Sequence, residues 1–156
     1  MTDTDVPLPA LHSLQRHFAA MPPVAAMRIA VDGFEAGALR LRAPLQANLN
    51  DKANAFGGSL ASLMTLAGWG WLTLQLQRAG HAADVYVADS QLRYLAPVYE
   101  ELVATAAPGQ SGDWTAFLAT FRQRGKARIA MAAQVVLQSG QAAASFSGRF
   151  VALAKG

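Results

Sequence analysis

The sequence contains no cysteine, which excludes a disulfide framework, a catalytic thiol and the common cysteine-ligated zinc sites. Charged side chains are also scarce, at 15% of the 156 residues. The hydrophobic fraction of 53% is nevertheless large enough to fill a core, so intrinsic disorder is excluded. A chain of this length is expected to form one domain, residues 1–156, with an N-terminal helical flank over residues 1–23.

Acidic side chains almost disappear from the last third of the chain. Beyond Glu101 the only acid is Asp113, whereas six arginines and lysines follow, four of them within residues 122–128. Such a basic run indicates a dock for phosphates or an acidic partner, and a solvated hairpin tip is the alternative. No aromatic stacking pattern accompanies these charges, so we do not expect a nucleic acid partner.

The longest uncharged stretch, residues 53–77, has the length of a membrane span but not its chemistry. It lacks a cluster of basic residues that would anchor a span on one side, and it carries the polar residues Asn54, Ser59, Ser62, Thr65, Thr73, Gln75 and Gln77. A helix that is apolar on nearly all faces is also typical of a central core helix, which is the interpretation we adopt. The N-terminus has no basic-then-apolar signal, so we expect a cytoplasmic protein without membrane association.

Hydrophobic periodicity predicts an α+β fold. Residues 9–20 form an amphipathic helix that prolines 22 and 23 stop, and residues 26–31 and 38–43 form a hairpin joined through Asp32 and Gly33. A polar loop and a long helix ending near Gly80 follow. The remaining chain has five β-rich runs, at 85–95, 102–107, 114–123, 127–138 and 142–154. This order favours a curved antiparallel sheet packed on one long central helix.

Most catalytic signatures are absent. The chain has no G-x-S-x-G, no H-E-x-x-H and no G-x-x-x-x-G-K-[ST]. His12, His17 and His81 lie outside any polar group in the sequence, and we interpret them as surface or capping residues.

The segment with most chemical content is the polar loop that runs into the glycine pair Gly57-Gly58. Glycines at a helix start let a ligand approach the backbone, and the unsatisfied N–H groups of the first turn favour an oxygen with negative charge. The alternative is that two glycines only permit a tight turn and close packing.

Two motifs resemble a known family: N-D-K-A-N-A-F-G-G-S-L-A-S-L-M-T-L-A-G-W-G at 50–70 and A-D-S-Q-L-R-Y-L-A-P-V at 88–98. They are similar to hotdog-fold thioesterases, most closely to the thioesterase-like domain at the C-terminus of YiiD-type proteins and its free-standing relatives. The resemblance implies a sheet wrapped around the long helix and an edge-to-edge homodimer, with a dimer of dimers as a further alternative. It also implies interfacial sites for acyl thioesters of coenzyme A or acyl carrier protein, which bring their own coenzyme A or phosphopantetheine, so no other cofactor and no metal are expected.

Carried over by position, the resemblance places the oxyanion-hole amide at Gly57 or Gly58 and a carbonyl-binding amide at Asn50. Where many hotdog thioesterases have His and a helix carboxylate, this chain has Phe56 and Thr65. Hydrolysis needs a base, whereas loss of CO₂ does not. The resemblance to YiiD-type members, which are associated with malonyl-acyl carrier protein decarboxylation, therefore favours conversion of a malonyl thioester to the acetyl thioester for the initiation of fatty-acid synthesis. Thr65 is expected to hydrogen-bond the carboxyl or a water. Further predicted substrate-binding residues are Asp51, Asn54, Phe56, Ser59, Ser90, Arg122, Arg124 and Arg128.

The second motif offers an acid. Asp89, Gln91 and Arg93 alternate along one predicted strand, and a two-fold pairing near Gln91 would place Asp89 opposite Arg93 of a second copy. If Asp89 or Ser90 instead reaches the thioester, hydrolysis regains a base. Acyl thioester hydrolysis and non-catalytic acyl thioester binding therefore stay open as alternatives.

Overall fold

A computed structural model describes residues 6–156, so the first five residues of the predicted flank lie outside it. The helices are α1 (Leu8–Ala20), α2 (Pro22–Ala25), α3 (Gly57–Arg78) and α4 (Trp114–Arg124). The strands are β1 (Ala30–Glu35), β2 (Ala38–Ala43), β3 (Ala83–Tyr94), β4 (Leu102–Pro108), β5 (Lys126–Val136) and β6 (Ala142–Ala154). A single 3₁₀ turn, Leu45–Ala47, begins the loop before α3.

The strands form one antiparallel sheet in the order β1-β2-β4-β5-β6-β3. Helix α3 packs against β2, β3, β4, β5 and β6. The predicted α+β arrangement of an antiparallel sheet on one long central helix is therefore confirmed. β1 and β3 are the two outer strands.

Close packing of α3 on the sheet depends on small residues in the middle of the helix. A Cβ on Gly68 would lie 2.9 Å from the ring of Phe150, and one on Gly70 would lie 2.8 Å from Leu39. The apolar side chains of α3 accordingly pack in the protein core and do not form a lipid-facing surface. No helix within residues 6–156 is both long and apolar enough to cross a bilayer.

The predicted strand at 114–123 is wrong, because this segment is helix α4. Asp113 is its N-cap and accepts a hydrogen bond from the Ala116 N–H at 3.0 Å, while Gly125 ends the helix in the left-handed region. Phe117 and Phe121 are buried one helical turn apart. The basic run 122–128 is consequently not a hairpin tip: it spans the last turn of α4, the glycine and the start of β5.

The predicted first hairpin is correct in kind but misplaced. Its first strand begins at Ala30, four residues later than expected, and the turn lies at Ala36-Gly37 rather than at Asp32-Gly33. Both turn residues have positive φ, 51° and 76°, which a two-residue hairpin turn of the primed type requires. Asp32-Gly33 instead lies at an irregularity in the pairing of β1 with β2.

Helix α1 covers part of the β1 edge through one glutamine. The Gln15 amide donates from Nε2 to the Ile29 carbonyl at 2.7 Å and accepts at Oε1 from the Val31 N–H at 2.7 Å. This side chain therefore pairs with the backbone as a neighbouring strand would. The prolines after α1 do end it, as predicted, but they also begin the short helix α2.

Candidate active site

The loop before α3 is organised by the side chain of Asn50. Its Oδ1 accepts from the backbone N–H groups of Lys52, at 2.8 Å, and Asn54, at 3.2 Å. Its Nδ2 donates to Oδ1 of Asn54 at 2.5 Å and, more weakly, to the Ala55 carbonyl at 3.5 Å. The side-chain amide of Asn50, predicted to bind the substrate, therefore holds the loop together. Of its two N–H groups, the one that donates to the Ala55 carbonyl at 3.5 Å is only loosely held.

The same loop is tied to the segment after β3, which fixes the position at which α3 begins. The N–H of Ala55 donates to the Val98 carbonyl at 2.8 Å, and Nδ2 of the buried Asn54 donates to the hydroxyl of Tyr99 at 3.3 Å. Asp51 does not share in this network: its exposed carboxylate pairs with the neighbouring Lys52 at 2.9 Å.

The first turn of α3 leaves its two leading amides unpaired. Phe56 is the N-cap, and its carbonyl accepts from the N–H groups of Ser59 and Leu60. Within residues 6–156, the N–H groups of Gly57 and Gly58 have no hydrogen-bond acceptor. These donors, aligned with the helix dipole, form the kind of site that stabilises an oxygen with negative charge.

A groove of about 300 Å³ adjoins this turn. It is lined by Ala55, Gly57, Leu60, Tyr94, Leu95, Ala96 and Pro97. The Tyr94 hydroxyl donates to the Gly57 carbonyl at 3.2 Å, which joins the helix start to the end of β3. None of these lining residues is a carboxylate or an imidazole, so the groove offers amide donors and apolar walls but no strong base.

The two hydroxyls predicted for α3 are less available than expected. Ser59 is buried in the first turn. Thr65 donates its hydroxyl hydrogen to the Ala61 carbonyl at 2.8 Å. Thr65 can therefore accept a hydrogen bond from a water, but its donor is already used within the helix.

Asp89 has a partner in its own chain. On the exposed surface of β3, its carboxylate pairs with the guanidinium of Arg149 on β6, through Nε at 3.1 Å to both oxygens and through Nη2. The hydrogen bonds from Arg149 hold the pKa of Asp89 below its usual value, and the charge of Arg128 acts in the same direction. The predicted pairing with Arg93 of a second copy stays a prediction, and Asp89 is a weakened base. Ser90 is exposed beside it.

The predicted basic residues lie outside the groove. Arg122 donates from Nε to Nε2 of His81 at 3.2 Å, Arg124 is exposed at the end of α4, and Arg128 is exposed on β5. They therefore lie on the surface of the chain, away from the lining of the groove.

A second, larger cavity of about 520 Å³ was missed from the sequence. It lies between α1, the second half of α3 and the start of β3, and its lining includes His17, Trp69, His81, Asp84, Tyr86 and Lys155. Its histidines are 64 residues apart in sequence, so no local motif could have revealed them. Within residues 6–156 no group of three or more metal-binding side chains is present.

A family described as "Putative thioesterase (yiiD_Cterm)" matches residues 11–154. The chain belongs to this YiiD_C family. The match covers the loop, the glycine pair, the groove and all six strands, so the resemblance inferred from the two motifs is confirmed.

Solved structures agree with this family membership. A putative thioesterase from Shewanella oneidensis is 31% identical over 93% of this chain and 98% of that chain, with a TM-score of 0.83. A protein of unknown function from Chlorobaculum tepidum TLS is 28% identical over 99% and 100% of the two chains, with a TM-score of 0.87. A protein from Pseudomonas aeruginosa described as a probable thioesterase shares the fold at 22% identity, a TM-score of 0.77 and coverage of 96% and 99%. The YiiD_C chain therefore has the hotdog fold of the thioesterase superfamily.

Proposed function

We propose that this protein acts on acyl thioesters and that its reaction is decarboxylation of a malonyl thioester, carried by acyl carrier protein or coenzyme A, to the acetyl thioester. One observation carries the proposal: the unpaired N–H groups of Gly57 and Gly58 adjoin a groove whose lining has no base. The acetyl thioester formed would serve the initiation of fatty-acid synthesis.

The chemistry needs little beyond these donors. When the bond between the α-carbon and the carboxylate breaks, its electron pair moves into the thioester and becomes an enolate oxygen. The amides of α3, with the weaker N–H of Asn50, would stabilise that oxygen, and the apolar walls near Leu60 and Leu95 would disfavour the charged carboxylate relative to neutral CO₂. Thr65 would accept from a water beside the carboxyl.

Acyl thioester hydrolysis is the second candidate, and the family description supports it. It needs a group that activates water, a contribution of about 10² to 10⁴ in rate. Asp89 is the acid that the sequence offers for this task, yet its pairing with Arg149 lowers its pKa and hence its strength as a base. Decarboxylation is therefore preferred. Binding without turnover is the third candidate, since a site of donors alone also suits a sensor.

The proposal includes a homodimer joined through β3. Four large apolar side chains on or next to this outer strand, Tyr86, Val87, Tyr94 and Leu95, are 42% to 57% exposed. A second copy pairing edge to edge would cover them and would lie against the groove. Arg122, Arg124 and Arg128 would then attract the phosphates of coenzyme A or the acidic carrier protein from solution.

The experiment compares products from malonyl and acetyl thioesters of both carriers. Decarboxylation predicts CO₂ and the acetyl thioester from the malonyl substrate, and little free thiol from either. Release of free thiol as the main product would replace the proposal with hydrolysis, and binding without any turnover would replace it with a sensor. The same assay at rising salt tests the docking surface: kcat/KM for the carrier-protein substrate is expected to fall, because screening weakens steering between charges.

A further inference from the structure

Two imidazoles, those of His17 and His81, line the cavity at the start of β3, and they differ in their hydrogen bonds. His81 accepts from Arg122 at 3.2 Å, and its ring meets the edge of Phe121 with centroids 5.3 Å apart. The exposed ring of His17 packs 6.2 Å from the Trp69 ring and makes no hydrogen bond within residues 6–156. Both nitrogens of His17 are thus available to a ligand or a reacting molecule.

The groove and this cavity lie at opposite ends of the same outer strand. The groove borders Tyr94, the last residue of β3, whereas the cavity borders Ala83 to Tyr86 at its start. Trp69 joins the cavity to the strand, because its Nε1 donates to the Val85 carbonyl at 2.9 Å. Within one chain the two sites are roughly 30 Å apart along the strand, too far for one substrate to touch both reactive centres.

A second copy removes that separation. Because Asp89 is already paired with Arg149, it gives no reason to centre an antiparallel pairing on Gln91. Pairing over the whole of β3 forms the most backbone hydrogen bonds and covers the exposed side chains at both ends of the strand. Because the pairing of β3 with β6 shifts between Val87 and Asp89, Ala88 is an extra residue in the strand. In this register the two-fold axis passes beside Asp89, and Tyr94 of one copy faces Ala83 of the other.

This pairing brings the groove of one copy to the cavity of its mate. A two-fold axis perpendicular to the sheet keeps both α3 helices on the same face of the joined sheet. Val85 of the mate lies opposite Leu92, two residues before Tyr94. The ring of His17, which packs on the Trp69 that donates to the Val85 carbonyl, would then face the groove from the other side.

We propose that the partner's His17 completes the active site and protonates the enolate that decarboxylation leaves. This inference rests on the proposed function. After CO₂ departs, the α-carbon of the enolate takes a proton from the imidazolium of the partner's His17, and the electron pair of the enolate forms the new C–H bond. The products are the acetyl thioester and a neutral imidazole, which regains its proton from water.

The first test compares two histidines of α1. His17→Gln is expected to lower kcat by about 10² to 10⁴, the usual contribution of a positioned proton donor. His12→Gln is the matched control, because His12 is exposed on the same helix and does not line the cavity. Free imidazole is expected to restore part of the activity of His17→Ala, which a purely structural role would not allow. A His17→Gln enzyme with normal kcat overturns the proposal.

The second test asks whether the two halves of a site come from different copies. Co-expressed and separately tagged His17→Gln and Gly58→Ala chains form mixed dimers in which one of the two sites is intact. Random pairing of two weakly active parents is expected to recover about a quarter of wild-type activity, because a two-fold dimer has two equivalent sites. Recovery of nothing beyond the parents overturns the proposal.

A third measurement does not depend on turnover. Since the chain has no cysteine, a His17→Cys/Tyr94→Cys double variant carries only two thiols, which a short bis-maleimide is expected to join between copies. A cross-linked dimer supports the juxtaposition, and its absence overturns it. Wild-type protein that turns over neither malonyl nor acetyl thioesters refutes the proposed function, whereas normal turnover without cross-linking refutes the role of His17 alone.

Discussion

The ring of Phe56 occupies the space that a side chain on Gly58 would need. A Cβ on Gly58 would lie 2.4 Å from Cε2 of Phe56 and 2.9 Å from its Cζ, well inside van der Waals contact. A side chain at this position would therefore have to displace the exposed ring of Phe56. This contact therefore links the ring position of the N-cap Phe56 to the choice of residue at 58, the proposed oxyanion donor.

Gly58→Ala is expected to push the Phe56 ring aside and shift the first turn of α3. A displacement of about 1 Å in a reacting group can cost about 10² in kcat, so we expect a loss of that size with malonyl thioesters. The Phe56→Ala/Gly58→Ala double variant should recover much of it, because the clash is removed. Full activity in the single variant would mean that this turn does not hold the reacting oxygen.

Asn50→Ala is expected to reduce both turnover and stability, because this residue holds the loop. Removing an oxyanion donor typically costs about 10² to 10³ in kcat, and leaving loop amides unpaired costs about 1 to 3 kcal/mol. Asn50→Asp keeps the oxygen that accepts from Lys52 and Asn54 but removes the Nδ2 donor. Steady-state kinetics and urea unfolding of both variants separate the two roles: equal kcat in Asn50→Asp and wild type would remove the donor from the mechanism.

Asp89→Asn is expected to change the acid limb of stability. Because Arg149 lowers the pKa of Asp89 in the folded protein, the pair stabilises the fold above the unfolded pKa of about 3.9. That contribution is lost as the pH falls through the lower folded-state pKa. Thermal midpoints of wild type and variant should differ near neutral pH and converge in strong acid. A constant difference at every pH would contradict the linkage.

Asp113→Ala is expected to weaken α4. It removes the side chain that accepts from the Ala116 N–H, and loss of such an N-cap costs about 0.5 to 2 kcal/mol. Urea unfolding measures the change. Ser111→Ala, at an exposed position two residues earlier, is the control and should stay near wild type. A variant as stable as wild type would show that the cap contributes nothing.

The parts of the fold that sequence reasoning predicted are those with a local signal. The glycine pair before a long apolar run located α3, and the alternating pattern after residue 142 located β6 with the bounds that the structure has. The segment of helix α4, predicted as a strand, contains aromatic residues and threonines, which are also common in strands. The decisive signals were the capping Asp113, the terminal Gly125 and the helical spacing of Phe117 and Phe121.

The candidate site likewise has a part with a local sequence signal and parts without one. The helix-start amides follow from residues adjacent in sequence, so the motif was sufficient to find them. The pairing of Asp89 with Arg149 joins residues 60 positions apart, and the cavity that holds His17 and His81 is formed only when α1 packs beside α3. Contacts of this kind form only when distant segments pack together, so local sequence patterns do not reveal them.

The glutamine on α1 has a consequence for how far the sheet can extend. At the β1 edge, Gln15 already uses the Ile29 carbonyl and the Val31 N–H. The charges of Asp32, Glu35 and Arg40 near this edge also disfavour pairing with another strand. Within residues 6–156 this leaves β3 as the outer strand available for pairing. Pairing through β3 would therefore end with a dimer, so the exposed apolar side chains of this strand would not lead to fibres.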